Sequence, residues 1–297
     1  MEINHKTIGD RIIDCILILL MLLVILFCAF PFWNQMVLSV ADRAQLYSVE
    51  VAWYPKTINL ASYRSMLHFT QLWRGYANTI FRTVLGTFLS LAVTSAMAYP
   101  LSKKDLPLNK FVTTMLVITM LFGGGLIPSY LLITQTLKLT NTIWAMVLPG
   151  LVGAYNVFII RNFFASLPQD LEESAFLDGA GFFRIFLQIV LPLSVPVLMT
   201  VGLWIAVGHW QAWYDYMLYM TNPDGWGLGM VIRKILIMNR PQDALAAVQR
   251  TYGSESAVDQ RQLQAAVIMV SILPMLIIYP FIQKFFTKGI MLGAVKG

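Results

Sequence analysis

Six stretches of this sequence are so long and so apolar that they dictate membrane crossings, and that leaves few folds open. A helix needs ~20 apolar residues to cross ~30 Å of hydrocarbon, because its backbone amides can be satisfied only within the segment. The stretches lie at about 12–36, 76–101, 111–137, 142–164, 193–219 and 263–283. Composition agrees, with 58% hydrophobic residues, 12% charged ones and a mean hydropathy of +0.67, far from the soluble norm. The predicted fold class is therefore an all-α membrane protein, with six transmembrane helices forming one transmembrane domain over residues 1–297. An even number of spans puts both termini on the same side.

The first stretch differs from a cleaved signal peptide, whose apolar region runs ~7–15 residues before small residues. Here it is longer and closes on Phe30, Pro31, Phe32 and Trp33, which reads as a retained helix with an aromatic end. Lysines and arginines divide almost evenly between the two sides. Those on the N-terminal side, such as Lys6, Arg11, Lys103, Lys104 and Arg161, gather at helix ends and in short loops, which favours an inside N-terminus.

Several function classes find no support. The net charge of +6 is spread along connecting segments, so there is no nucleic-acid footprint. Cys15 and Cys28 would stand roughly 20 Å apart on one helix and cannot pair with each other. His5, His68 and His209 are scattered, without metal-ligand spacing, and each reads as a surface or interface side chain. Neither a phosphate-binding Gly-rich loop ending in Lys-Ser/Thr nor a Gly-x-Ser-x-Gly elbow occurs. The chain is read as a non-enzyme that carries no cofactor and no metal.

Between the fourth and fifth spans, the loop 165–192 contains "ASLPQDLEESAFLDGAGFFRIFLQIVLP", too polar to cross a bilayer. Pro168 suits the first turn of a helix, and Asp170, Glu172 and Glu173 complement its dipole. Gly179 and Gly181 end it. Leu171, Ala175 and Leu177 offer an apolar side, with Glu172, Glu173 and Asp178 left polar. So short a helix is unstable alone and must pack on something. A second stretch, "FFRIFLQIVL", sets Arg184 and Gln188 four apart on one face, and Pro192 ends it.

This arrangement resembles the cytoplasmic "EAA" loop of permease subunits of binding-protein-dependent ABC importers. The pattern is matched by Glu173, Ser174 and Ala175, then Asp178, Gly179 and Ala180, then Ile189, Leu191, Pro192 and Pro196. It departs only at Ser174, where the family has alanine. Other segments, such as "NTIFRTVLGTFLSLAVTSAMAYPLSK", resemble the carbohydrate branch that includes the smaller maltose-transporter permease. "FGGGLIPSY" and the tail "KGIMLGAVKG" look similar to permeases for complex oligosaccharides, among them uronic-acid polymers such as pectin fragments or alginate.

The resemblance implies that the first loop helix docks on an ATP-hydrolysing subunit. Glu172, Glu173, Ser174, Ala175, Asp178, Gly179 and Ala180 would be the ATPase-coupling residues, their acids present to meet that protein. It also implies a bacterial cytoplasmic (inner) membrane location, with the loop and both termini cytoplasmic. The implied partners are a second homologous permease, two ATPase subunits holding ATP and Mg, an extracytoplasmic solute-binding protein, a carbohydrate substrate and membrane lipid.

A sugar path needs hydrogen-bonding groups and aromatic faces. Trp210, Trp213, Tyr214 and Met217 share one face at helical spacing, either a sugar-stacking surface or an interfacial aromatic belt. Trp204, Tyr155 and Asn156 lie deeper and are further pathway candidates. Asp215 is costly in lipid and should face a partner, a cavity or the aqueous rim. Gly123, Gly124 and Gly125, followed by Pro128, suit close helix packing or a local break, with packing the expected use. In the outer segment 221–262, Val231, Ile235 and Met238 share an apolar face with Arg233 and Lys234 elsewhere; these two with Arg240 read either as an ordinary solvated face or, as the resemblance implies for external loops, as part of a docking surface for the binding protein. The rival reading is an ion-coupled secondary transporter, which needs inverted repeats and deep ionisable residues. Neither is read here.

Overall fold

A computed structural model of the protein describes residues 8–48, 50, 53–103, 105–236 and 259–294, with side chains described as far as residue 277. His5, Lys6, Lys104, Met238 and Arg240, named above, lie outside the described residues. The chain divides into two compact units, Met1–Phe69 with Ile235–Leu273, and Thr70–Lys234 with Pro274–Gly297.

In the first unit, helix α1 spans Ile8–Val40 and continues through Pro31 beyond its expected end. From Ile12 to Phe27 its large apolar side chains are more than half exposed, as suits a helix whose surroundings are lipid or another chain. Cys15 and Cys28 both sit exposed and unpaired on it. The chain then turns through Arg43–Gln45, makes an isolated antiparallel bridge between Ala41 and Ile58, and forms α2, Ala61–Leu67. A small core joins Val37, Leu38, Ala41 and Leu46 to Ala265 of the last helix, Gln260–Ala294, here α14. Arg261 donates to the Leu46 carbonyl at 2.6 Å and Gln262 to that of Asn59 at 2.8 Å, so residues that begin α14 satisfy the loop's backbone.

The second unit is built on α3, Thr70–Leu101, which packs against α7, Ala154–Ala165, and α11, Val195–Gln211. At its C-terminal end, Ala98, Tyr99 and Leu101 meet Val157, Ile160, Phe164, Ile185 and Phe186 in a buried apolar cluster. The intervening helices are α4 (Asn109–Leu121), α5 (Leu126–Leu131, running into a π-helical turn to Thr136) and α6 (Trp144–Val147). After α7 come α8 (Asp170–Leu177), α9 (Phe182–Ile185), α10 (Leu191–Leu193, joined to α9 by a π-helical turn), α12 (Tyr214–Tyr219) and α13 (Leu228–Leu236).

Among the described residues, three helices are long and apolar enough to cross a membrane: α1, α3 and α14. The number reaches six when three bent helix pairs each count as one span, with bends of 110° between Asn109–Leu121 and Leu126–Thr136, 55° between Trp144–Gly150 and Ala154–Ala165, and 80° between Phe182–Leu193 and Val195–Gln211. The first two of these pairs fall within stretches read from the sequence as single spans, 111–137 and 142–164, whereas the third bend lies next to Pro192, where the loop is read as ending and the fifth span as beginning. Gly123 and Gly124 have open space around them and Gly125 adopts φ +82°, so the tri-glycine makes a bend rather than the expected close packing. In the fifth span the helix stops at Gln211, Ala212 is extended, and helix resumes at Tyr214. Trp210, Trp213, Tyr214 and Met217 therefore do not share one helical face.

Candidate functional site

The loop helix α8 is positioned by its two ends. The Glu172 and Glu173 amides both donate to the Gln169 carbonyl, at 2.9 and 3.0 Å, and Asp170, Glu172 and Glu173 occupy the first turn. Pro168 stands just ahead of the helix rather than inside it. At the far end Gly179 takes φ +81°, with its N–H on the Phe176 carbonyl at 3.0 Å and the Ala180 N–H on that of Ala175 at 2.9 Å. That pair of bonds is a Schellman turn, which needs a left-handed residue and hence favours glycine. Phe176 then meets Phe182 edge-on at 4.9 Å, and Arg184 donates to Gln188 at 3.0 Å along the second helix.

The coupling residues separate by direction. Glu173, Ser174, Asp178 and Gly179 are exposed, whereas Ala175 and Ala180 pack against the apolar cluster. Leu171 and Leu177 face outward, Leu177 at 91% exposure, so the expected apolar side is reduced to the alanines. Glu172 also departs from expectation. Its carboxylate turns inward, pairs with Lys103 and accepts a bond from the Tyr99 hydroxyl at 3.2 Å.

A second cluster lies in a cavity of about 580 Å³, lined among others by Arg82, Asn156, His209, Asp215 and Tyr219. Arg82, buried on α3, has its Nη2 on the Asp215 carboxylate and on the Met146 carbonyl at 3.1 Å. Its Nε donates to His209 Nδ1 at 3.3 Å, and the guanidinium lies 5.1 Å from the Tyr216 ring centroid. An imidazole accepting at Nδ1 is the neutral form. Of the two readings the sequence leaves for His209, surface or interface, the structure has the second: it is a buried member of a polar network between α11 and α3. It sits against Gly86, where a Cβ would come within 2.4 Å of Nε2, so the helix backbone itself forms its seat.

Asp215, expected to face a cavity, a partner or the aqueous rim, faces this cavity. Arg82 and His209 were missed as deep ionisable groups, although a lone arginine inside an apolar block was the available signal. Of the pathway candidates, Asn156 lines this cavity, and Tyr155 stacks with Trp204 at 6.3 Å. Trp210 pairs instead with Tyr76 at 6.4 Å, and Trp213 lies edge-on to Tyr214 with the Arg233 guanidinium 3.8 Å from its ring centroid. Among the described residues no group of His, Cys, Asp and Glu side chains could hold a metal ion.

The chain is 35% identical over 97% of its length to the polygalacturonan/rhamnogalacturonan transport system permease protein YtcP of Bacillus subtilis, covering 99% of that protein. It is 36% identical to protein LplC of the same organism, over 99% of this chain and 98% of the relative. The crystal structure of a bacterial ABC transporter involved in the import of the acidic polysaccharide alginate contains a chain that superposes with a TM-score of 0.88 at 27% identity, covering 95% of this chain and 99% of that one. The family model for the inner membrane component of binding-protein-dependent transport systems matches residues 1–292. This chain belongs to that family, as a permease component of a binding-protein-dependent importer.

Proposed function

We propose that the chain is one of two homologous but different permeases in an ATP-driven importer of oligosaccharides, with uronic-acid oligomers the foremost substrate class. The substrate class draws support from YtcP, named for polygalacturonan and rhamnogalacturonan, and from the alginate importer. The permease performs no chemistry on the sugar. Two separate ATPase subunits supply the energy from ATP and Mg, and an extracytoplasmic solute-binding protein delivers the sugar. With loop 165–192 cytoplasmic and six spans at the boundaries given above, both termini are cytoplasmic.

The observation that carries the coupling role is the exposure of Glu173, Ser174, Asp178 and Gly179 on a short helix whose C-terminal end is fixed by a Schellman turn. A rigid polar tooth of this kind suits a cleft in an ATPase, and closure of the ATPase dimer would move it, switching the paired permeases between inward-open and outward-open cavities. The cavity of Arg82, Asn156 and Asp215 and the Tyr155–Trp204 stack are the proposed solute contacts, since hydroxyl-bonding groups beside aromatic faces suit sugars.

The test is gentle purification of the tagged chain from its native membrane, followed by reconstitution of whatever accompanies it. An ATPase and a second permease are expected in the preparation, with ATP-dependent uptake of trigalacturonate. Asp178→Lys should leave assembly intact but separate ATP hydrolysis from uptake. Recovery of the chain alone, transporting without ATP, would overturn the reading.

A further inference from the structure

Glu172 and Glu173 are neighbours in sequence but stand ~100° apart around the helix, and the two carboxylates have opposite surroundings. Glu173 is exposed. The Glu172 side chain is only 13% exposed and is enclosed by the end of α3. We propose that Glu172, Lys103 and Tyr99 form an internal latch that makes the coupling helix α8 move as one body with α3, so that these three are positioning residues for coupling rather than contacts to the ATPase. The proposal rests on the coupling role given to α8 above.

Among the described residues, no other side-chain hydrogen bond or ion pair joins α8 to the spans, and its one ring contact, Phe176 on Phe182, stays within the loop. None of its residues is fully buried, and its packing on the core is limited to the partly buried Ala175, with Ala180 just beyond. Methyl contacts of that kind resist compression but slide readily. Charge-assisted hydrogen bonds fix direction as well as distance.

The α3 side of the latch is rigid. The Lys103 amide donates to the Pro100 carbonyl at 3.0 Å, continuing the last turn of α3, and Asn109 donates to the Lys103 carbonyl at 2.9 Å. The Leu101 carbonyl accepts from Arg161 of α7 at 2.8 Å. Lys103 Nζ lies 4.9 Å from the Tyr99 ring centroid, a cation–π contact that leaves its N–H groups free to reach Glu172. Tyr99 in turn stacks on Phe186 at 5.1 Å and meets Phe164 edge-on at 6.4 Å. One tyrosine therefore touches the first loop helix through its hydroxyl and the second through its ring. A push on α8 reaches α3, α7 and the Phe182–Leu193 segment together.

The experiment uses the assembled transporter in proteoliposomes. Spin labels on Leu177→Cys and Val93→Cys, with Cys15 and Cys28 replaced by serine, report the distance between α8 and α3. With the latch intact that distance should stay narrow with and without ATP. Glu172→Gln and Lys103→Met should each broaden it and lower the stimulation of ATP hydrolysis by the solute-binding protein about tenfold, a typical coupling magnitude. Tyr99→Phe keeps the ring stack and should give an intermediate effect. Exchange of the charges, Glu172→Lys with Lys103→Glu, should restore both readouts. A narrow distance in both single variants, or an exchange that rescues neither readout, overturns the latch. Asp178→Lys on the exposed end of α8 separates this failure from the other. If it leaves the stimulation intact, the coupling role of α8 fails, and the distance measurement alone then decides the latch.

Discussion

Truncating Asp215 would leave the Arg82 guanidinium, 3% exposed, without its counter-ion. Removing one partner of a buried pair is far more costly than removing both, because the surviving charge is uncompensated. Asp215→Leu should therefore cost about 3 kcal/mol, while Asp215→Leu with Arg82→Met should cost clearly less. Thermal unfolding of the purified protein in detergent checks this, and equal losses in the two variants would contradict it. Sequence reasoning reached half of this pair. A carboxylate in an apolar block needs a compensating environment, which is a local argument, but its partner lies 133 positions away in a different helix. Only the fold brings them together. The same holds for Glu172, whose acidity is legible while its direction depends on where α3 ends.

At the level of elements, α8 is the best-read part of the chain, because caps and turn residues are encoded locally. Acids in its first turn and glycine at its end gave its limits to within about two residues. Gly179→Ala should cost ~1 kcal/mol from the left-handed backbone alone, since a Cβ there meets open space. Gly179→Pro adds the loss of the bond to Phe176 and cannot adopt φ +81°. The expected outcome is near-normal coupling in the alanine variant and an uncoupled proline variant, measured as sugar taken up per ATP hydrolysed. Comparable behaviour of the two would separate coupling from the turn geometry. The aromatic face expected in the fifth span was not legible in the same way, because no proline or glycine marks the break at Ala212 and helical spacing was carried across it. The tri-glycine marked its own break, but packing and bending leave the same sequence signature.

For the whole molecule, composition and block length were enough to give an all-helical membrane protein, since hydrocarbon permits few alternatives. The internal bends were less accessible, because hydropathy reports what a segment dissolves in and not its axis. If both termini are cytoplasmic, a protease-cleavable tag at the C-terminus should be cut in inverted vesicles and protected in right-side-out ones; the opposite pattern would reverse the proposed topology. The 110° bend has a further consequence, for synthesis. The helix Asn109–Leu121 has 13 residues, roughly 20 Å at ~1.5 Å per residue, so it cannot traverse the bilayer alone. Nor can Leu126–Thr136. During biogenesis the insertion machinery must hold the first half until the second emerges. A chain released after Phe122 would hold two full-length spans and a third segment too short to stay across the bilayer.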